Sequence, residues 1–324
     1  MPRAARLDAP DLLQHVIVRG VERCDIFCDD NDRSRFVATL SKLLVQTDTE
    51  CLAWALMSNH FHLLLRPRHG FLAPVMRRLL TGYAVYFNLR HHRNGHLFQN
   101  RYKSIVCEED TYLLELIRYI HLNPMRAKVV SDLAALDSYQ WSGHSVIMGN
   151  VEMAGQIVDE VRDFFGKRKH EAREKYRQFV ADGVALGKRA EFGSRRRMTK
   201  ETLEALGEES YDDRVLGSGE FILELRQRRE FAAQMPKAVE VGTIVTRVCE
   251  HYGIAAESLR ENSRRAIITV ARSVICYLAV RRAGYSGTMV GRLMNLQRAG
   301  VSVAAGRGEK LVQDDPVLLR IIDK

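Results

Sequence analysis

The chain has 324 residues, 46% of them hydrophobic and 27% charged, a composition that excludes collagen-like and disordered classes and leaves room for two domains. Its formal charge of +9 favours a polyanionic partner, because Lys and Arg that neutralise phosphates gain by counterion release. Six cysteines form no CxxC pair, so reduced thiols are expected rather than a zinc site. With no apolar signal-peptide core and no apolar run of roughly 20 residues, the protein is expected to be cytoplasmic, with no membrane partner.

In chain order, 14–20 (QHVIVRG) reads as a strand entering a turn at Gly20. Asp29, Asp30, Asn31 and Asp32 are good caps for a helix carrying Phe36, Leu40, Leu43 and Leu44 at helical spacing. Residues 51–57 (CLAWALM) and 60–67 (HFHLLLRP) read as a hairpin turning at Ser58-Asn59. An amphipathic helix is expected from Pro74, then a basic turn (RHHRNGH), a strand at 101–107, and a helix opened by Asp110 or Thr111. That helix should end near Asn123, because the residue before Pro124 avoids the α region.

This order suits an α+β ferredoxin-like layout, an antiparallel sheet with helices on one face, over a domain at 1–147. A charged helical connecting region is expected at 148–240, where the basic runs at 167–178 and 188–200 read as solvated helix faces or DNA contacts. Residues 241–324 form an all-α end. There a strongly apolar helix at 264–282 closes at Gly284, and SGTMVGRLMNL and RAGVSVAAGRGEKL complete a helix-turn-helix layout.

His60-Phe61-His62 is the sharpest chemical feature. Alternation along a strand puts both imidazoles on one face, about 7 Å apart, and Phe61, Leu63 and Leu65 on the other. Two imidazoles so placed can hold one divalent ion, although a strand that merely carries two histidines would read the same. Tyr119 and Asn123 lie four residues apart and share a helix face. A tyrosine, with a free pKa of about 10, is a usable nucleophile beside a metal, and an asparagine can supply a neutral oxygen ligand. A packed aromatic and a helix terminator are the plainer alternatives. The neutral donor set suits Mg²⁺ or Mn²⁺.

Four segments in order, HVIVRG…DIFCDDNDRSRF, WALMSNHFHLLLRP, YFNLRHHRNGHLFQNRYKS and YLLELIRYIHLNPMRAKVV, together resemble the REP-associated branch of the single-tyrosine HUH transposases. The resemblance implies His60 and His62 as metal ligands, Tyr119 as nucleophile and Asn123 as third ligand. It also implies a single-stranded hairpin DNA substrate and a 5′-phosphotyrosine product with a free 3′-hydroxyl. Arg19, Arg101, Lys103 and Arg126 fall in the matching motifs as phosphate-binding candidates, and Tyr102 is a candidate base-stacking residue.

The segment SRRAIITVARSVICYLAV and its following helices resemble the DNA-binding domain of the replication initiator DnaA. Gln297-Arg298-Ala299-Gly300 replaces that family's acid-rich turn. Gln297, Arg298 and Ser302 are the candidate duplex contacts, and Gly300 and Gly306 are expected to weaken the third helix. A metal-dependent transposase is therefore expected. The alternatives are a DNA-binding regulator descended from one, or a small-molecule metal hydrolase, which would need a further series of His and Asp ligands that is not seen.

Overall fold

The computed structural model describes residues 6–187, 212, 214–231, 235, 239–261, 265–283, 285 and 287–321. The basic run at 188–200 and Gly284 lie outside the described residues. The chain forms two compact units, Arg6–Arg195 and one holding Arg196–Lys324.

The first unit opens with β1 (Gln14–Arg19), followed by α1 (Asp30–Gln46) and the hairpin strands β2 (Thr49–Leu56) and β3 (His60–Pro67). Next come α2 (Leu72–Arg90), β4 (Lys103–Cys107) and α3 (Glu109–His121). Asp29 caps α1 by accepting the Asp32 N–H at 3.0 Å, as its position before the apolar stripe predicts. These four strands run in the order β2-β3-β1-β4, with every pairing antiparallel. The α+β class is therefore as expected.

The helices occupy both faces of the sheet, not one. Phe61, Leu63 and Leu65 of β3 join Val16 and Val18 of β1 in a core with Phe36 of α1 and Tyr83 of α2. There the Phe36 and Phe61 rings lie 4.7 Å apart. The opposite face of β2 and β3 is covered by α3. The physical reason is visible in the strands, whose residues are almost all buried on both sides. A strand buried on both faces reads as a continuous apolar run, as CLAWAL and HLLL do, and needs two covering layers.

Compactness does not end near 147. Beyond α4 (Asn123–Arg126), α5 (Leu133–Ser138) and α6 (Gly143–Met148), the chain returns through α7 (Val158–Asp163) and α8 (Lys169–Asp182). The run KRKHEAREKYRQ is not simply a solvated face: α8 packs on α3 and α6 and buries Ala172, Tyr176 and Val180. These three residues, four apart, form a narrow apolar stripe that a charge-rich helix still presents on one side.

In the second unit, α9 (Gly219–Gln227) precedes four helices: α10 (Val241–Tyr252), α11 (Ala266–Cys276, continued as a π-helical turn to Arg282), α12 (Gly287–Met294) and α13 (Arg298–Asp314). Between α12 and α13, Asn295 adopts φ 52° and the Leu296 N–H donates to the Gly291 carbonyl at 2.9 Å. This is a left-handed helix cap of the kind asparagine tolerates. The helix α13 runs over 17 residues through the two glycines expected to weaken it. A third glycine is set by packing: a Cβ on Gly308 would lie 1.9 Å from the Ser273 carbonyl oxygen, so the glycine lets α13 press against α11.

Candidate active site

Pairing of β1 with β3 and β4 assembles one polar patch on the α3 side of the sheet. Residues directly opposite in an antiparallel pair share a face. Arg19 lies opposite His60, and Ile17 lies opposite both His62 and Lys103. The two histidine rings of β3 stand edge to face with centroids 5.4 Å apart. From α3, Tyr119 presents its ring 5.9 Å from that of His62. The sheet thus brings together His60, His62, Tyr119, Arg19 and Lys103 from four elements.

Both histidines are held neutral. Burial, and then the Arg19 charge, lowers the His60 pKa to about 4. Burial lowers that of His62 well below the usual value, helped by His15, His60 and Arg19. Each Nδ1 is engaged by a neighbour. Asn59 Oδ1, an obligate acceptor, is 2.7 Å from His60 Nδ1, which therefore donates to it. His62 Nδ1 lies 2.9 Å from Nε2 of His15.

Asn123 does not extend α3. The helix stops at His121, and Pro124 sits in the first turn of α4, where a missing N–H costs nothing. The Asn123 amide donates to the Tyr119 carbonyl at 2.9 Å, so its amide oxygen is the atom it can offer to a ligand. Its side-chain contact is with α3 and not with the histidine pair. Arg126 lies over the Tyr119 ring, its guanidinium carbon 5.4 Å from the centroid. Arg101 is exposed ahead of β4, and no described contact ties it to the patch.

Tyr102 cannot stack on a base as expected. It is 7% exposed within the core, and the Arg6 guanidinium covers its ring at 4.1 Å. Tyr83 and Tyr112 are also buried and Tyr86 packs beside Tyr83, whereas Tyr119 faces the histidines. His15 was missed in reading the sequence. The signal was available, because β1 alternation places His15, Ile17 and Arg19 on one face, and His15 is fully buried there.

A second cluster, Cys28, Asp32 and His91, brings potential ligand atoms within 4.8 Å of one another. Its carboxylate is already satisfied, since buried Asp32 accepts from Arg90 at 2.5 Å, from His91 and from the Cys28 N–H. Burial and the neighbouring acids also raise the Cys28 pKa, which disfavours the thiolate. With a guanidinium neutralising the only acid in the cluster, the group is an ion-pair network rather than a cation site.

The histidine and tyrosine patch on an antiparallel α+β sheet defines a domain class, and the comparisons with known proteins name it. Residues 9–123 match the family of IS200-like transposases, and residues 241–305 match the bacterial DnaA helix-turn-helix family. The chain thus carries a region similar to IS200-like transposases followed by one similar to the DnaA-type helix-turn-helix. A curated relative, the chromosomal replication initiator protein DnaA of Desulfatibacillum aliphaticivorans, is 30% identical over 104 residues, which are 31% of this chain and 22% of that protein. A solved structure of a REP-associated tyrosine transposase bound to a REP hairpin aligns with 47% of this chain and 89% of its own at 15% identity, with a TM-score of 0.38. Among the described residues no helix is long and apolar enough to cross a membrane.

In the helix-turn-helix, Gln297 and Ser302 are exposed at the start of α13. The side chain of Arg298 lies outside the described residues.

Proposed function

We propose that the transposase domain is a metal-dependent endonuclease and strand transferase acting on single-stranded, REP-like hairpin DNA. Tyr119 is the nucleophile. His60 and His62, with Asn123 as third ligand, hold Mg²⁺ or Mn²⁺. The observation that carries this reading is the approach of the Tyr119 ring to within 5.9 Å of His62 from a separate element. The donor set fits such an ion: two neutral imidazoles, each with its Nδ1 engaged, plus an amide oxygen leave coordination positions for phosphate.

A divalent ion, when bound, polarises the scissile phosphate. Tyr119 Oη attacks phosphorus, an O–P bond forms to the tyrosine, and the bond to the 3′ oxygen breaks. The phenol gives up one proton and the departing 3′ oxygen takes one up, so the products are a 5′-phosphotyrosine and a 3′-hydroxyl. An incoming 3′-hydroxyl reverses the step without ATP, because the phosphodiester energy is kept. Arg19 and Lys103, beside the histidines, together with Arg101 and Arg126, serve the phosphates. The helix-turn-helix, through Gln297, Arg298 and Ser302, holds duplex DNA and raises the local concentration of the nuclease at its site.

The test is a covalent protein–DNA band on a denaturing gel, with labelled single-stranded hairpin DNA in Mn²⁺ or Mg²⁺. Wild type is expected to form it, and Tyr119→Phe and His62→Ala are not. An adduct that persists in Tyr119→Phe moves the nucleophile to another residue. No adduct, together with a shift of duplex DNA, would favour a DNA-binding regulator, the reading that the DnaA-type domain supports on its own.

A further inference from the structure

We propose that His15 is a positioning residue for His62: it holds Nδ1 of His62 and so commits the other ring nitrogen, Nε2, to the cation. The inference rests on the function proposed above.

His15 lies on the central strand, two residues before Ile17, which faces His62 across the β1–β3 ladder. It is therefore the diagonal neighbour of His62 on the same face. Its ring is fully buried and stacks on that of His62, with centroids 5.1 Å apart and planes inclined by 23°. Its Nε2 is 2.9 Å from His62 Nδ1, and its ring meets Tyr119 edge-on at 6.0 Å.

One proton lies between these two nitrogens, and its position decides whether His62 can serve as a ligand. A neutral imidazole carries one N–H and one lone pair. If His62 Nδ1–H donates to His15 Nε2, the lone pair of His62 is on Nε2 and free for a cation. If His15 Nε2–H donates instead, the proton of His62 sits on Nε2 and blocks that position.

His60 supplies the parallel on which the first arrangement is proposed. Its Nδ1 faces Asn59 Oδ1, which can only accept, so His60 holds its lone pair on Nε2. The amide of Asn59 is oriented in turn by its Nδ2, which donates to the Arg23 carbonyl at 3.2 Å. The two histidines thus carry parallel outer partners, Asn59 for one and His15 for the other. Partners of this kind fix ring orientation and tautomer in metal-binding histidines.

Two measurements on the full-length chain test this. In the first, Mn²⁺ is titrated and free Mn²⁺ is followed by electron paramagnetic resonance, for wild type, His15→Phe and His15→Gln. Phenylalanine keeps the stacked ring but offers no acceptor, and should weaken Mn²⁺ binding by roughly 10- to 100-fold. Glutamine restores an acceptor and should recover part of the loss. Wild-type affinity in His15→Phe overturns the proposal.

In the second, nitrogen-15 histidine NMR of the metal-free wild type reads the tautomers directly, so the test survives a variant that fails to fold. His62 and His15 are both expected as Nδ1–H, and a His62 proton on Nε2 overturns the proposal. Wild type that binds Mn²⁺ and forms the Tyr119 adduct while His15→Phe matches it sinks this inference alone. Wild type that neither binds nor cleaves sinks the function as well.

Discussion

At the scale of single residues, the site depends on imidazoles kept neutral by burial, and that has a consequence for pH. The His60 pKa is lowered from 6.5 to about 4. Below pH 6.5 the unfolded chain takes up a proton that the folded chain refuses, so stability falls as pH drops until the folded group also titrates near pH 4. The slope from this group approaches about 1.4 kcal/mol per pH unit within that window and vanishes above it. Urea unfolding in chelator-containing buffer should give a lower midpoint at pH 5 than at pH 7.5, with part of the difference removed in His60→Gln. Equal midpoints would mean that the histidine is not held neutral. In the proposed function Lys103 and Arg19 act on the phosphates by charge. Each alanine substitution should reduce the slope of log affinity for single-stranded DNA against log salt by about 0.7, as measured by fluorescence anisotropy across a salt series.

At the scale of elements, the helix that carries Tyr119 is fastened by segments well beyond it in sequence. Tyr176 of α8 lies between two buried imidazoles, with its hydroxyl 2.6 Å from His121 Nδ1 and 3.1 Å from His144 Nδ1. His144 Nε2 continues to Asp137 at 2.8 Å, and Arg177 donates to the same carboxylate at 2.7 Å. One turn away, the Arg118 guanidinium lies 4.4 Å from the centroid of Phe179. The other end of α3 is tied by buried Arg66, which binds Glu109, Glu50 and Glu160 together. Removing the hydroxyl in Tyr176→Phe leaves two buried ring nitrogens without that partner. It should cost about 1–3 kcal/mol, read from urea unfolding. Among glycines of α13 the outcome should depend on packing. Gly308→Ala drives a methyl into the Ser273 backbone and should destabilise, whereas Gly300→Ala meets nothing nearer than 4.0 Å and should stabilise by up to about 1 kcal/mol. Thermal unfolding of the two variants checks both signs.

At the scale of the whole molecule, a compact α+β unit that matches IS200-like transposases and a helical unit that matches the DnaA helix-turn-helix family share one chain with a charge of +9. The boundary of the first unit is a physical matter, because α8 buries Tyr176 and Val180 against the layer that holds α3. A chain cut after residue 147 would expose that apolar surface and strand the His121 imidazole. We expect residues 1–187 to unfold cooperatively in urea and residues 1–147 to show no cooperative transition. Cooperative unfolding of the shorter piece would show that α8 is an ornament rather than part of the fold.

How much of this was legible in sequence follows from the range of each signal. Strand alternation placed His60 and His62 on one face and Phe61 on the other, and helical spacing put Tyr119 near Asn123. The order of apolar runs and caps pointed to the antiparallel α+β sheet and the helix-turn-helix. Each is a local periodicity, set within a few residues by backbone geometry. Tertiary structure alone decided the rest. His15 meets His62 across 47 residues and Tyr176 meets His121 across 55. Tyr102 is sealed by Arg6 from 96 residues away. Such contacts depend on strand order and on which face a returning helix covers, and no local period encodes either. A buried histidine on β1 therefore read as one more strand residue until the fold brought its ring to 2.9 Å from His62.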